Sequence, residues 1–405
     1  MKEDLSKEDS MTKLDSLKLP LQSLVIFRSL LIDPVIRKAY ALISSDSDDP
    51  NTKVALYASF VSELYANHSN FSEYLCKIVL ENENTYVQHV ATNKAVTSNL
   101  QECLENELLV LQELSTLSSD EVKSHIPFTG YLPSWETSSI NLLTAYQERI
   151  SQLHRYGYGQ YASHYVFTIK DGHLLPVTNP DPVSLNDLKG YEKERNLVLN
   201  NTFALIENKP ASNVLLYGDA GTGKSSTVKA ITNQLHHKGL RLIEVPKKQL
   251  DAIPTLLETI SQYPLKFILF IDDLSFSKND ANFGSLKAIL EGSVTAKPSN
   301  VVIYATSNRR HLVKESFSDR EGDDIHLSET IQELTSLSDR FGMLVSYFKP
   351  DKQQYLEIVH ELAMYYNISL SGEKLEIEAE RYAVTKNGRS PRVARQFIAH
   401  LQTKE

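Results

Sequence analysis

The chain has 405 residues, 41% of them hydrophobic and 23% charged, with a net charge of −9; this is the composition of a soluble globular protein long enough for two or three domains, each with its own core. No uncharged apolar run approaches the roughly 20 residues of a membrane span, and the acidic start MKEDLSKEDS is unlike a secretory signal. Cys76 and Cys103, the only cysteines, have no metal or redox spacing, so a cytoplasmic protein with no membrane partner is expected.

Residues 1–18 are charged and poor in apolar side chains, and read as a disordered tail. Residues 19–119 have helical periodicity. Leu24, Phe27, Leu30 and Leu31 share one helical face, and Leu104, Leu108, Leu111 and Leu114 another. Asp33-Pro34 and the run Asp48 to Thr52 mark a break and a capped turn between helices. No catalytic constellation falls in this helical domain, so its expected role is packing or partner binding.

Charge points the same way. Residues 1–180 hold 14 Lys and Arg against 22 Asp and Glu, and residues 181–405 hold 28 against 29. An acidic first half repels phosphate backbones, which makes a protein target the better expectation and leaves nucleic acid less favoured.

Residues 120–180 read as a linker region with a short strand near Tyr165 to Ile169. It holds the sole tryptophan, Trp135, and the segment HRYGYGQYASHYVF from His154 to Phe167, whose tyrosines suit base stacking, a grip on an unfolded chain, or a glycine-bearing turn that leads into the strand. Few cations flank them. PVTNPDPVSLNDL then leads into residues 181–349, where short β-rich runs alternate with helices, the pattern of a parallel sheet covered on both faces. Strands are predicted at 213–217, 241–245, 267–271, 301–305 and 344–348. Residues 350–405 form three predicted helices, at 351–364, 375–385 and 391–401, the last starting after the turn GRSPR.

The first of those strands runs into GDAGTGKSS. Gly218, Asp219, Ala220, Gly221, Thr222, Gly223, Lys224, Ser225 and Ser226 have the spacing and the strand-to-helix setting of a phosphate-binding loop. Glycines let successive main-chain N–H groups face a phosphate, Lys224 adds a cation, and the Ser225 hydroxyl suits the octahedral shell of Mg²⁺. A nucleoside triphosphate with Mg²⁺ is the expected ligand.

The strand FILFI ends in Asp272 and Asp273. Adjacent residues on a strand point apart, so Asp272 is assigned to the metal, through its waters, and Asp273 to the base that orients or deprotonates the attacking water. The next strand ends at Asn308, whose amide can report on the γ-phosphate or the water. Arg309, Arg310, His311 and Lys314 follow and could approach phosphates, a neighbouring subunit or DNA. Arg340, in SLSDRFG, is a candidate for neutralising a γ-phosphoryl group in an adjacent subunit. Arg392 is the candidate reaching back from the last helix, with Arg389 and Arg395 as competitors.

In this order the elements GDAGTGKS, FILFIDD, YATSN, SDRF and GRSPR resemble those of an AAA+ ATPase, over roughly residues 181–405. LYGDAGTGKSSTVKA, FIDDLSF, LKAILEG, NVVIYATSNRRHL and SLSDRFG resemble in particular a bacterial AAA-type family catalogued as a domain of unknown function. The resemblance implies an α/β P-loop NTPase fold of the AAA+ type, with a five-stranded parallel sheet and a helical carboxy-terminal lid, here preceded by a mostly helical amino-terminal domain. It also implies hydrolysis of ATP between subunits of a homo-oligomer, a hexamer by resemblance. Lys224 and Ser225 then belong to Walker A, Asp272 and Asp273 to Walker B, Asn308 to sensor 1, Arg340 to the arginine finger and Arg392 to sensor 2. Leu188, Gly190 and Tyr191 resemble the segment bordering the adenine.

Two departures stand out. Asp273 replaces the glutamate that most of the family carries, a side chain shorter by one methylene, so slow turnover or a nucleotide-gated binding module is an alternative to an active remodeller. The loop KKQLDAIP lacks the aromatic-apolar-glycine signature with which threading unfoldases grip a polypeptide. The basic residues from Arg309 to Lys314 motivate the third reading, a DNA-associated initiator or loader.

Overall fold

Aspartate followed by proline starts two helices near the amino terminus. The Asp33 carboxylate accepts the N–H groups of Val35 and Ile36, both at 3.0 Å, at the head of Pro34–Ile43, and Asp49 accepts those of Asn51 and Thr52 at the head of Pro50–Asn67. Proline at the first position has no donor left to satisfy. These elements come from a computed structural model that describes residues 12–275, 281–291, 298–308, 340–370, 372–386 and 388–403. The chain divides into two units, Met1–Ser163 and His164–Glu405.

The first unit is helical and built around one core. The helix Ser98–Ser115 buries Leu104, Leu108, Leu111 and Leu114, as its periodicity predicts. Trp135 stands edge-on to Phe60, centroids 5.0 Å apart, and its indole N–H donates to the Leu117 carbonyl at 2.9 Å. Leu24, Phe27 and Leu30 are buried, but they do not lie on one α-helix. The N–H groups of Val25, Ile26 and Phe27 go instead to the carboxylate of Glu107, at 2.7, 3.1 and 2.9 Å, which leaves only the 3₁₀ turn Arg28–Ile32. A charged acceptor that binds three donors outcompetes the helical ladder locally.

Two boundary expectations change. The helix Lys13–Gln22, capped by Thr12 and Asp15, occupies part of the stretch expected to be a disordered tail. Residues 120–180 are not a linker. Trp135 and the helices Leu142–Ser151, Leu153–Tyr156 and Gln160–Ser163 belong to the first unit, and the remainder to the second. Tyr158 and Tyr161 are buried beside the positive-φ turn residues Gly157 and Gly159, so these two tyrosines pack rather than present a stacking surface.

The second unit carries a seven-stranded sheet: β1 Val166–Lys170, β2 His173–Pro176, β3 Val214–Gly218, β4 Leu240–Glu244, β5 Lys266–Ile271, β6 Val301–Ser307 and β7 Met343–Tyr347. The order is β2-β1-β4-β5-β6-β3-β7, with every pair parallel except β1 and β2. β3 to β7 are the five strands that the family resemblance implies. The β1–β2 hairpin, turned through Asp171 and Gly172 at φ 51° and 76°, adds two more beside β4. An Asp-Gly pair readily adopts such a turn.

β3, β4, β5 and β6 are almost wholly buried, as strands covered on both faces must be. β6 lies between β5 and β3, so the segments that follow these three strands meet at one end of the sheet, the ordinary ligand end of a parallel sheet. Three helices, Lys352–Tyr365, Gly372–Thr385 and Pro391–Gln402, pack around Tyr355, Leu362, Leu375 and Phe397 to form the lid.

Candidate nucleotide site

The loop after β3 turns at Gly221 and Gly223, whose φ values of 80° and 97° lie in the left-handed region open to glycine, and the helix Lys224–Leu235 starts at once. Its first-turn residues Lys224, Ser225 and Ser226 line a cavity at the positive end of the helix dipole. The loop, the ends of β5 and β6, and the lid together line this cavity of about 610 Å³. Ala220, Gly221, Thr222, Gly223, Lys224, Ser225 and Ser226 line it from the loop, Asp272, Asp273 and Asn308 from the strand ends, and Arg392 and Arg395 from the last lid helix.

Contacts among these residues are direct. Lys224 Nζ donates to the carbonyls of Gly218 at 2.9 Å and Asp219 at 2.7 Å and to Asn308 Oδ1 at 3.2 Å. Ser225 Oγ donates to Asp272 Oδ1 at 2.6 Å. Asn308 Nδ2 donates to Asp273 Oδ1 at 2.9 Å. Burial draws the Lys224 ammonium below the usual lysine range, against the pull of Asp219, Asp272 and Asp273 toward the charged form.

Thr306, which the motif reading passed over, ties the two aspartates together. Its hydroxyl donates to Asp272 Oδ1 and accepts the main-chain N–H of Asp273 at 2.9 Å. Asp273 sits at φ 51°, where non-glycine residues are uncommon, so this N–H contact and the Asn308 contact hold a turn that directs its carboxylate. The signal was a threonine at the end of the strand beside the aspartates.

Several expected residues lie elsewhere. Gly218 and Asp219 do not line the cavity; they supply carbonyls to Lys224, and a Cβ on Gly218 would stand 2.2 Å from the Tyr347 carbonyl oxygen. Strand β7 passes too close for any side chain there. Leu188 and Tyr191 line the cavity, whereas Gly190, at φ 71°, does not and packs against Ile358. Asp187, Ile358, Leu362, Gln396 and Ala399 also line it; only contacts between the lid and the core make these visible.

Among the three candidate arginines of the lid, Arg389 is held by Glu380 in a paired contact at 2.8 and 2.6 Å and does not line the cavity. Arg395 lines it and its guanidinium donates to the Asp187 carbonyl at 2.6 Å, and Arg392, which also lines it, donates its main-chain N–H to the Gly221 carbonyl at 3.1 Å. Arg340 is half-buried at the foot of β7 and outside the cavity lining. Arg309, Arg310, His311 and Lys314 lie outside the described residues.

A phosphate loop on a strand flanked by β6 and β7, paired aspartates one strand further, a polar residue at the end of β6 and a helical lid define an AAA+ ATPase fold. The chain belongs to the family described as "Protein of unknown function (DUF815)", which matches residues 160–405. It is 28% identical over 131 residues to the Holliday junction branch migration complex subunit RuvB of Mycoplasmopsis pulmonis (strain UAB CTIP), a match spanning 32% of this chain and only 39% of that protein. Among solved structures, the Thermotoga maritima RuvB Holliday junction branch migration motor aligns with a TM-score of 0.33 at 17% identity, over 54% of this chain and 72% of that one. No helix among the described residues is long and apolar enough to cross a membrane.

Proposed function

We propose that this protein binds ATP with Mg²⁺ between its sheet and lid and hydrolyses the nucleotide within a homo-oligomer, a hexamer on the family resemblance, to remodel or regulate a protein partner. One observation carries the reading: Lys224, Ser225, Asp272, Asp273 and Asn308, from three separate strand ends, converge on a cavity that lid arginines also line.

The residues fit the chemistry. The main-chain N–H groups of Gly221 to Ser225 suit phosphate oxygens, and Lys224 exchanges the carbonyls it holds for a fully charged acceptor. Ser225 and Asp272 offer hard oxygen donors, which suits a magnesium ion that keeps several waters and also binds phosphate; when bound it supplies neutralisation of charge on those phosphates. Asp273 is the candidate proton acceptor, aimed by Asn308, and its short side chain suits slow turnover. Leu188, Tyr191, Ile358 and Leu362 suit the adenine, and Arg392 the phosphate tail. Arg340, away from its own cavity, suits donation to a neighbouring subunit.

Steady-state phosphate release by the full-length protein tests this. Wild type should turn over ATP and Lys224→Ala should not; equal rates would sink the assignment. Rapid turnover in wild type would likewise remove the alternative of a nucleotide-gated binding module. A second reading, DNA as the partner, is favoured by the name of the Mycoplasmopsis relative, a Holliday junction subunit. It predicts ATP-dependent DNA binding that weakens steeply with salt.

A further inference from the structure

The motif spacing assigns Asp219 to the phosphate cradle, but its side chain has a different partner. Asp219 Oδ2 accepts the main-chain N–H of Lys349 at 2.7 Å, and Asp219 N–H donates to the Tyr347 carbonyl at 2.8 Å. Tyr347 ends β7, and the next helix, Lys352–Tyr365, is the first of the lid. The few residues between them join the lid covalently to β7, and the Tyr191 hydroxyl also donates to the Phe348 carbonyl there. Hinges of this kind are a few element-terminal residues that absorb backbone rotation.

The carbonyl of the same residue faces the site. Asp219 O accepts Lys224 Nζ at 2.7 Å and the Thr222 hydroxyl at 2.9 Å. Gly218, which precedes it, runs so close to Tyr347 that an added Cβ would stand 2.2 Å from the Tyr347 carbonyl oxygen, so loop and strand end are in direct backbone contact. We infer that Asp219 is a positioning residue that couples the phosphate loop to the lid hinge. Resting on the nucleotide reading above, this gives that site a route to the lid through the hinge, beside the direct contacts of the lid arginines. A phosphate that takes Lys224 from the Asp219 carbonyl changes the peptide on one side of this residue, and its carboxylate carries the change to Lys349. The carboxylate-to-amide bond is charge-assisted, so making or losing it is a large change for the hinge.

The test is amide hydrogen exchange across residues 348–354 in the full-length wild type, Asp219→Asn and Asp219→Ala, each with and without saturating Mg-ATP. Saturation removes differences in affinity from the comparison. In wild type, ATP should change exchange at Lys349 on the order of tenfold, as expected when one charge-assisted hydrogen bond is made or lost. Asp219→Ala should exchange rapidly at Lys349 with or without ATP, and Asp219→Asn should be intermediate. Should the alanine variant fail to fold, the asparagine variant carries the test. Variants that keep the full wild-type response overturn the coupling, as does a wild type that binds ATP without any change at the hinge. A wild type that binds no ATP overturns both this inference and the functional reading beneath it.

Discussion

Asn308 and Asp273 are joined by a 2.9 Å hydrogen bond from the asparagine amide to the carboxylate, while the amide oxygen of the same asparagine receives Lys224 at 3.2 Å. One side chain thus bridges the Lys224 ammonium and the Asp273 carboxylate. Replacing Asp273 with asparagine keeps the shape and removes the proton acceptor, so hydrolysis should fall by about 10²-fold or more while ATP still binds. Asn308→Ala should lower turnover by a similar order, through lost positioning. Single-turnover hydrolysis alongside equilibrium binding separates the two effects; a loss confined to binding would contradict these roles.

The Lys224 ammonium gives a pH prediction. Burial lowers its pKa in the folded protein, so between that lowered value and the usual lysine value the unfolded chain binds more protons than the native one. The cost of burying this charge is therefore fully present below the folded-state pKa and is relieved as pH rises through the window. For ATP the sign is opposite, because the anion needs the cation. Affinity should fall as pH rises through that window below the usual lysine value, and Lys224→Arg, which stays charged, should flatten that fall. A wild-type affinity constant over this range would contradict the burial effect.

Gly218 tests the contact between loop and strand. A Cβ there meets the Tyr347 carbonyl oxygen at 2.2 Å and must adopt φ 129°, whereas at Gly172, at φ 76°, nothing lies within 4 Å. Gly218→Ala should cost about 3 kcal/mol or more, through clash and backbone strain together. Gly172→Ala should cost only about 1–2 kcal/mol, from strain alone. Urea unfolding of the two variants measures the difference; equal costs would mean that β7 gives way freely.

Arg340 lies outside the cavity that its own chain forms. If a neighbour uses it, Arg340→Ala should lower hydrolysis by on the order of 10³-fold and leave ATP binding intact. Mixing Arg340→Ala with Lys224→Ala protein should then restore activity, because one partner keeps the arginine and the other the phosphate loop. A mixture no more active than its components would argue against sharing between subunits.

How much of this the sequence makes legible depends on how far apart the interacting residues lie along the chain. Strands β3, β5 and β6 were readable because each is a short apolar run, buried on both faces, that ends at polar residues whose chemistry is local. Glu107 was not, since nothing near it in sequence shows that its carboxylate would take three N–H groups some 80 residues away and unwind a predicted helix. Trp135 looked like part of a linker for the same reason: its burial depends on Phe60 and Leu117. In the site, motif spacing located the loop but assigned Asp219 to phosphate, because the Lys349 amide that claims its side chain lies 130 residues further on. Thr306 needed only the neighbouring strand, and strand order supplied it.

Binding itself is the most direct measurement. Calorimetric titration of the wild-type protein with Mg-ATP should give saturable heat with a dissociation constant on the order of micromolar to millimolar, and Lys224→Ala should give none. No heat from the wild type, or the same isotherm from both proteins, would contradict the claim that the loop from Gly221 to Ser225 holds a triphosphate.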